Sequence, residues 1–197
     1  MLIGLTGTIG SGKGTFSNYL KKKGFSYISL SDLVREEAKK RGLEIKREVL
    51  QNLGNLMRKK YGNSYWAKLV LRKINKNRDW IIDGIRNTGE IKEIKKLLDS
   101  FIIAIDTIES LRLKRIEKRN KSTEEGRKDS DPKNKDELKK VELRDRGFKE
   151  PLYGQQVLKC IEMADYKITN NSSLESFYSK IDEVLTKIKL KHPTQQI

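Results

Sequence analysis

The sequence is poor in the side chains that many enzymes use for covalent or metal chemistry. Cys160 is the only cysteine and His192 the only histidine among 197 residues. One cysteine can form neither an intrachain disulfide nor a cysteine-based zinc site. With a single histidine close to the C-terminus, a Ser-His or Cys-His catalytic pair is also disfavoured.

Long apolar runs and aromatic-rich basic stretches are missing too. No run of about 18 apolar residues predicts a membrane span, and the opening residues MLIGLTG lack the basic flank of a signal peptide. We therefore expect a cytoplasmic protein with no membrane partner. Aromatic residues make up 7%, while 43 Lys and Arg against 27 Asp and Glu give a net charge of +16. This charge favours anionic partners, and small nucleotides are favoured over nucleic acid, for which no motif is present but which the charge does not exclude.

Short apolar runs alternate with longer segments of helical spacing. The runs cover residues 2–6, 26–30, 80–83, 101–106 and 165–169. Their nearly continuous apolar character predicts strands that are buried on both faces. The alternation predicts a parallel sheet with helices on both sides. A capping box of Ser172 and Glu175 is predicted to start the last helix. We expect one domain over residues 1–190 and a flexible tail at 191–197.

A glycine-rich stretch, GLTGTIGSGKGTF at residues 4–16, follows the first predicted strand and precedes a predicted helix. Gly7, Gly12 and Lys13 fit G-x-x-x-x-G-K, the phosphate-binding loop or P-loop. Without β-carbons the loop can wrap its backbone N–H groups around phosphate oxygens, and the helix directs its positive dipole end at the same anion. The predicted ATP-binding residues are Thr8, Ile9, Gly10, Ser11, Gly12, Lys13, Gly14 and Thr15.

The sequence of this loop departs from the usual motif. Gly14 occupies the position after the lysine, where Ser or Thr is common, and Thr15 follows it. In this respect GSGKGT resembles adenylate kinase and other nucleoside monophosphate kinases. The resemblance implies ATP and Mg²⁺, with Lys13 at the β- and γ-phosphates. It also implies that Thr15 and Asp83, which ends the WIID run, lie on the magnesium side.

Two further stretches match the acceptor side of these kinases. SLSDLVREEAKKRG contains Asp32 and Arg35, and DGIRNTGE contains Arg86. An arginine one turn into a helix can hold a phosphate with a bidentate fork. The resemblance implies an acceptor-binding region over about residues 31–78. The alternative is ordinary pairing on a helix surface for Asp32 and Arg35, and a solvent-exposed turn after the WIID run.

The segment from 119 to 150 is dense in charge and almost devoid of apolar residues. It is either a disordered loop or a mobile, arginine-rich lid, and we favour the lid. The arginines in and before it are Arg112, Arg115, Arg119, Arg127, Arg144 and Arg146. In the kinases that this sequence resembles, comparable arginines clamp the transferring phosphoryl group. On that basis Arg115, Arg119 and Arg144 join Lys13 as the predicted catalytic residues.

Over nearly its full length the chain resembles archaeal-type P-loop kinase-like proteins and the kinase-like domain fused to some deoxycytidylate deaminases. The shared stretches include SDLVREEAKKRG, DGIRNTGE, ELRDRG and ADYKITNNSSLE, the last of which is also similar to dephospho-CoA kinase. The resemblance implies an α/β fold, a three-layer P-loop kinase sandwich with a five-stranded parallel sheet of order 2-3-1-4-5 and a helical lid insertion.

The implied function is ATP-dependent phosphoryl transfer to a nucleoside or deoxynucleoside monophosphate, by a monomer or homodimer. Dephospho-CoA kinase is an alternative whose hydroxyl acceptor benefits from a nearby carboxylate, for which Asp32 is the candidate. A nucleotide-sensing module with little turnover is the alternative from another class.

Overall fold

Five parallel strands form a sheet at the centre of the structure, a computed structural model that describes residues 1–75, 77–121, 132 and 135–191. The strands are β1 (Leu2–Thr6), β2 (Ser26–Ser29), β3 (Trp80–Asp83), β4 (Ser100–Asp106) and β5 (Tyr166–Thr169). Their order, β2-β3-β1-β4-β5, confirms the predicted sheet order and the α/β class. Every predicted strand is present, with ends that differ by one residue at most.

Nine helices accompany these strands in the described part of the chain. They are α1 (Lys13–Lys22), α2 (Leu30–Lys40), α3 (Arg47–Tyr61), α4 (Tyr65–Lys73), α5 (Thr88–Ile94), α6 (Glu109–Lys121), α7 (Lys135–Arg146), α8 (Val157–Glu162) and α9 (Leu174–Lys191). Among them, none combines the length and the apolarity that crossing a bilayer requires.

The sheet separates two hydrophobic cores, because successive side chains of a strand point to opposite faces. Ile3 and Leu5 of β1 pack in the core that also contains residues of α1 and α9. Leu2 points to the other core, which holds residues of α2, α3, α4, α5 and α8. On that face a β-carbon at Gly4 would come within 2.6 Å of the Ile85 side chain and 2.7 Å of the Ile102 side chain, so glycine leaves room for these two side chains in the core. The result is the helix–sheet–helix sandwich that the sequence predicts.

A small third cluster attaches α6 and α7 to the P-loop. Ile9 of the loop, Ile116 of α6 and Leu138 of α7 are buried against one another. Thus the second half of the predicted lid, which reads as almost purely charged, forms a helix with one apolar anchor. Residues 122–131, 133 and 134 of that lid lie outside the described residues, as does the predicted tail beyond residue 191.

The start of α9 differs from the prediction by one residue. The hydroxyl of Ser173, not that of Ser172, accepts from the backbone N–H of Ser176 at 3.2 Å. Ser172 instead contacts the hydroxyl of Ser176. The predicted capping box of Ser172 and Glu175 is therefore wrong, because the helix begins at Leu174 and its cap is the residue directly before it.

Candidate active site

The P-loop backbone turns through three glycines between β1 and α1. Gly7, Gly10 and Gly12 have φ angles of 142°, 76° and 108°, values that residues with a β-carbon rarely adopt. Gly14 does not share this requirement, because it lies inside α1 and a β-carbon there would meet nothing within 4 Å. The three turning glycines leave a concave backbone in front of the N-terminus of α1, the arrangement that binds phosphate groups.

The P-loop is held in this shape from two neighbouring strand ends. The carbonyl oxygen of Ser11 accepts from the Thr107 hydroxyl and from the Asn170 amide, both at 2.9 Å. Arg115 donates to the same carbonyl at 3.4 Å and to the backbone oxygen of Asn170 at 3.0 Å. These residues follow β4 and β5, so the carboxyl edge of the sheet fixes the loop.

Lys13, the first residue of α1, reaches back across the loop. Its ammonium donates to the carbonyl oxygens of Gly7 at 2.7 Å and Thr8 at 2.9 Å. Burial disfavours the charged form and lowers the pKa of Lys13 to about 8, an effect that the nearby Asp83 carboxylate partly offsets. The site therefore contains a cation that is poorly compensated, and an entering anion would stabilise it.

A cavity of about 1020 Å³ opens in front of this loop, and we call it the large cavity. All the P-loop residues predicted to bind ATP line it except Thr8, which is buried and meets Lys13 through its carbonyl. Asp83, Arg86, Arg115 and Arg119 line it as well.

Asp83 has the character expected of a residue on the metal side of a kinase. It ends β3, is 4% exposed and accepts from the Tyr27 hydroxyl at 3.1 Å through Oδ2. Its Oδ1 and the Ser11 hydroxyl are buried without a hydrogen-bond partner among the described residues. In that part of the chain no group of three or more His, Cys, Asp or Glu side chains is placed to hold a metal. These oxygen donors fit a Mg²⁺ ion that keeps waters and is held largely by phosphates.

A second, smaller cavity of about 40 Å³ lies beside the first, between α2, α3 and the start of α4. We call it the small cavity. Its apolar walls are Leu30, Val34, Leu50 and Trp66. Four residues line both cavities, namely Ser31, Arg35, Arg47 and Arg86. Three arginines therefore stand where the two cavities meet, a place that we call the arginine junction.

The predicted acceptor pair Asp32 and Arg35 is only partly placed in this junction. Arg35 lines both cavities and donates to the Asp32 carboxylate at 3.3 Å and to the Ser31 carbonyl at 3.4 Å. Asp32 lines neither cavity, and its side chain is 49% exposed. Asp32 thus contacts the site through Arg35.

Arg86 is fixed at the junction by residues that are distant in sequence. Its Nη1 donates to Asp145 at 2.9 Å and to Gln155 at 3.1 Å. Its backbone N–H donates to the buried Glu90, and its carbonyl accepts from the backbone N–H of Gln156. The Glu90 carboxylate in turn forms a salt bridge with the buried Arg58, with 2.8 Å between Oε1 and Nη2. The DGIRNTGE stretch is therefore a structural support whose Arg86 side chain faces the site.

The arginines of α6 and α7 divide by location. Arg112 is 1% exposed, pairs with Glu142 and donates to the carbonyls of Thr107 and Ile9, so it braces the loop from outside both cavities. Arg115 and Arg119 line the large cavity, as a phosphate clamp requires. Arg144 lines neither cavity and donates to Glu150 at 2.8 Å. Arg127 lies outside the described residues.

Sequence reasoning missed Arg47 and Asp145. Asp145 accepts from Arg47 at 2.9 Å, from Arg86 at 2.9 Å and from Gln51 at 2.9 Å. Asp145 belongs to the ELRDRG stretch, in which the sequence predicts the arginines as phosphate ligands. Arg47, in the first turn of α3, belongs to no motif, and its position is revealed only by the packing of α3 against α2 and α4.

Known proteins share both the sequence and the architecture. The family described as AAA domain matches residues 6–139. A UPF0200 protein of Sulfurisphaera tokodaii is 37% identical over 187 residues, covering 95% of this chain and 97% of that protein. A UPF0200 protein of Methanocaldococcus jannaschii is 32% identical over 192 residues, covering 95% of this chain and 90% of that protein.

Solved structures show the fold. TT1252 from Thermus thermophilus superposes with a TM-score of 0.56 and 20% identity, covering 95% of this chain and 97% of that one. Shikimate kinase from Aquifex aeolicus superposes with a TM-score of 0.53 and 18% identity, covering 98% of this chain and 99% of that one. The resemblance to archaeal P-loop kinase-like proteins is thereby confirmed. With relatives aligned over nearly their whole length, the chain belongs to the UPF0200 family of AAA-domain proteins and has a P-loop kinase-like fold.

Proposed function

We propose that this protein transfers the γ-phosphoryl group of ATP to a nucleoside or deoxynucleoside monophosphate. One observation carries the proposal: the large cavity in front of the P-loop and the small, apolar-walled cavity meet at Arg35, Arg47 and Arg86. A kinase for an acceptor that is itself phosphorylated needs this arrangement, because two polyanions must be brought together while their repulsion is neutralised.

On the donor side, the P-loop amides and the N-terminus of α1 would receive the phosphate tail. Lys13 would exchange its two carbonyl contacts for phosphate oxygens, and Arg119 and Arg115 would face the tail from α6. The loop is already held through the Ser11 carbonyl, so little backbone ordering is left for nucleotide binding to impose.

Asp83 and Thr15 are the residues proposed for the magnesium side, and the fact that both line the large cavity supports this role. When bound, Mg²⁺ would neutralise charge on the phosphates. The buried, unpartnered Oδ1 of Asp83 supports this role, since such an oxygen is costly to keep without a ligand.

On the acceptor side, the phosphate would lie at the three arginines and the base or sugar toward Trp66, Leu50 and Val34, which requires the small cavity of about 40 Å³ to widen when the acceptor binds. An acceptor phosphate oxygen would attack the γ-phosphorus in line, forming the new P–O bond as the bond to the ADP oxygen breaks. A phosphate oxygen is already anionic and requires no general base. This agrees with the scarcity of histidine and cysteine in the chain.

Two alternatives remain for the same site. Dephospho-CoA kinase activity would place a ribose hydroxyl near a carboxylate, and Asp32 is poorly located for that role, being outside both cavities. Nucleotide sensing with little turnover would use the same P-loop. The arginine junction supports the kinase over the sensor, because a sensor of ATP alone has no use for a second anion site.

The deciding experiment is a coupled assay of ADP release with each ribo- and deoxyribonucleoside monophosphate, dephospho-CoA and shikimate as acceptors. We expect one class of monophosphate to stimulate ADP release strongly, and Lys13→Ala to abolish it. Turnover with dephospho-CoA or shikimate, and with no nucleoside monophosphate, would show that the proposed acceptor is wrong. ATP binding without stimulation by any acceptor would favour the sensor.

A further inference from the structure

Asp145 of α7 occupies the arginine junction that the proposed function assigns to the acceptor phosphate. It is 2% exposed. Its Oδ1 accepts from Arg86 Nη1 and Gln51 Nε2, and its Oδ2 accepts from Arg47 Nη2, each at 2.9 Å. All three donors line the small cavity. The described structure thus already holds one anion where the acceptor's anion would go.

A phosphate at Arg86 would compete with Asp145 for the same positive charge. Nη1 carries two hydrogens, and these are directed to Asp145 Oδ1 and, at 3.1 Å, to the Gln155 side-chain oxygen. A phosphate oxygen that binds Nη1 has to replace one of these acceptors, whereas one that binds Nη2 or Nε lies beside the Asp145 carboxylate. In either position the phosphate and the carboxylate repel, so the phosphate binds best when Asp145 withdraws from Arg86.

Asp145 is ionised under the conditions in which the protein would work. Burial by itself disfavours the carboxylate, but Arg86 and Arg47, helped by the Gln51 amide, outweigh it and hold the pKa of Asp145 below its ordinary value. A carboxylate with a lowered pKa is a weak proton acceptor. Asp145 is therefore suited to holding the arginines and poorly suited to general-base work.

We propose that Asp145 is a specificity-determining residue, a tethered carboxylate that yields the arginine junction to a phosphate dianion and withholds it from monoanions. This rests on the proposed function for the identity of the site. A phosphate monoester, with a second pKa of about 6, carries close to two negative charges at neutral pH and offers three oxygens. A free carboxylate carries no more negative charge than Asp145 already supplies to the arginines. Its binding also loses translational and rotational entropy, whereas Asp145 is already attached to the chain. Asp145 thereby disfavours the binding of carboxylated compounds at the junction.

The test measures binding of inorganic phosphate and of acetate by isothermal titration calorimetry at pH 7.5, with no ATP present. The variant is Asp145→Asn, and the matched control is Asp136→Asn, an exposed aspartate on the same helix. Because phosphate also binds P-loops, the binding assigned to the arginine junction is the part that is lost in the Arg86→Gln variant. We expect Asp145→Asn to bind phosphate about tenfold more tightly at this site and to gain acetate binding. The wild type and Asp136→Asn should reject acetate.

Phosphate binding that is unchanged or weaker in Asp145→Asn would overturn the proposal and make Asp145 a support for the arginines. A phosphate signal that never depends on Arg86 would overturn it as well. If Asp145→Asn does not fold, Gln51→Met decides alone, because removal of the amide loosens Asp145 and should also tighten phosphate binding. Tighter phosphate binding without ADP release on any acceptor would refute the kinase and leave this competition standing.

Discussion

The affinity of this protein for ATP should fall as the pH rises above 8, because Lys13 loses its proton in the free protein. Burial lowers the pKa of Lys13 to about 8 when no phosphate is present. A bound phosphate tail stabilises the ammonium and raises that pKa, so ATP binding takes up a proton in this range. Affinity is therefore highest below pH 8 and declines as pH moves from 8 toward the pKa of the bound state.

The size of the effect follows from the fraction of Lys13 that is protonated. With a pKa of about 8, roughly nine-tenths of the free protein carries the ammonium at pH 7 and roughly one-tenth at pH 9. If the complex forms only with the charged form, the dissociation constant should increase about tenfold between these two pH values. The phosphate groups of ATP titrate below this range, near about pH 6, and contribute little to the change.

Fluorescence or calorimetric titration with ATP from pH 6.5 to 9.5 at fixed ionic strength measures this directly. Lys13→Arg is the matched control, since a guanidinium stays charged throughout and its affinity should not change with pH. Loss of the fold does not explain a decline, because this lysine's lowered pKa makes the unfolded chain bind more protons between about pH 8 and 10.5, so its contribution to stability rises with pH. An equal affinity of the wild type at pH 7 and pH 9 would show that the Lys13 charge is not what ATP binding stabilises.

Three further changes test the rest of the site. Arg86→Gln should raise the KM for the acceptor about 10- to 100-fold, the value of one charge-assisted contact, and leave ATP binding intact, with exposed Arg72→Gln as the unaffected control in initial-rate assays. Equal losses for both substrates would contradict the division of the site. Glu90→Gln should cost about 3–5 kcal/mol in urea unfolding, because its arginine partner is left buried and unpaired, and a loss near zero would show that the pair is not buried in solution. Gly12→Ala should lower the melting temperature, at a cost of about 1–2 kcal/mol for its left-handed backbone, while Gly14→Ala should raise it by removing a glycine from a helix; melting shifts of the same sign would refute this contrast.

The fold and the P-loop could be predicted because their signals are local. Each strand is a short apolar run, and the loop lies between a strand and a helix within a dozen residues. Family resemblance supplied the strand order, which apolar periodicity alone does not specify. Arg86 was predicted from the resemblance of the DGIRNTGE stretch to the acceptor side of nucleoside monophosphate kinases, and it lies three residues after the end of β3.

Asp145 and Arg47 could not be found in this way because their partners are remote. The contact between them joins positions 98 residues apart, and neither lies in an apolar pattern that would set its direction. Arg144 is the opposite case, a residue that the sequence predicts in the site and that lies outside both cavities. It neighbours Asp145 in sequence and has the charge of a phosphate ligand, yet the helical turn directs it to Glu150, outside both cavities. Neighbouring residues of a helix point in different directions, so Asp145 lies in the site while Arg144 lies beside it.

The tether between Asn87 and the segment before α8 has a consequence for biosynthesis. The Asn87 amide donates to the carbonyls of Leu152 and Gly154, and Gln156 reaches the backbone of Arg86, so positions about 70 residues apart must meet. A ribosome-bound chain that ends before this segment lacks the anchor of Arg86, and it also lacks Asn170 and α9, which hold the P-loop and α1. Nascent fragments should thus be unable to hold either a nucleotide or a second substrate until the C-terminal residues have been made.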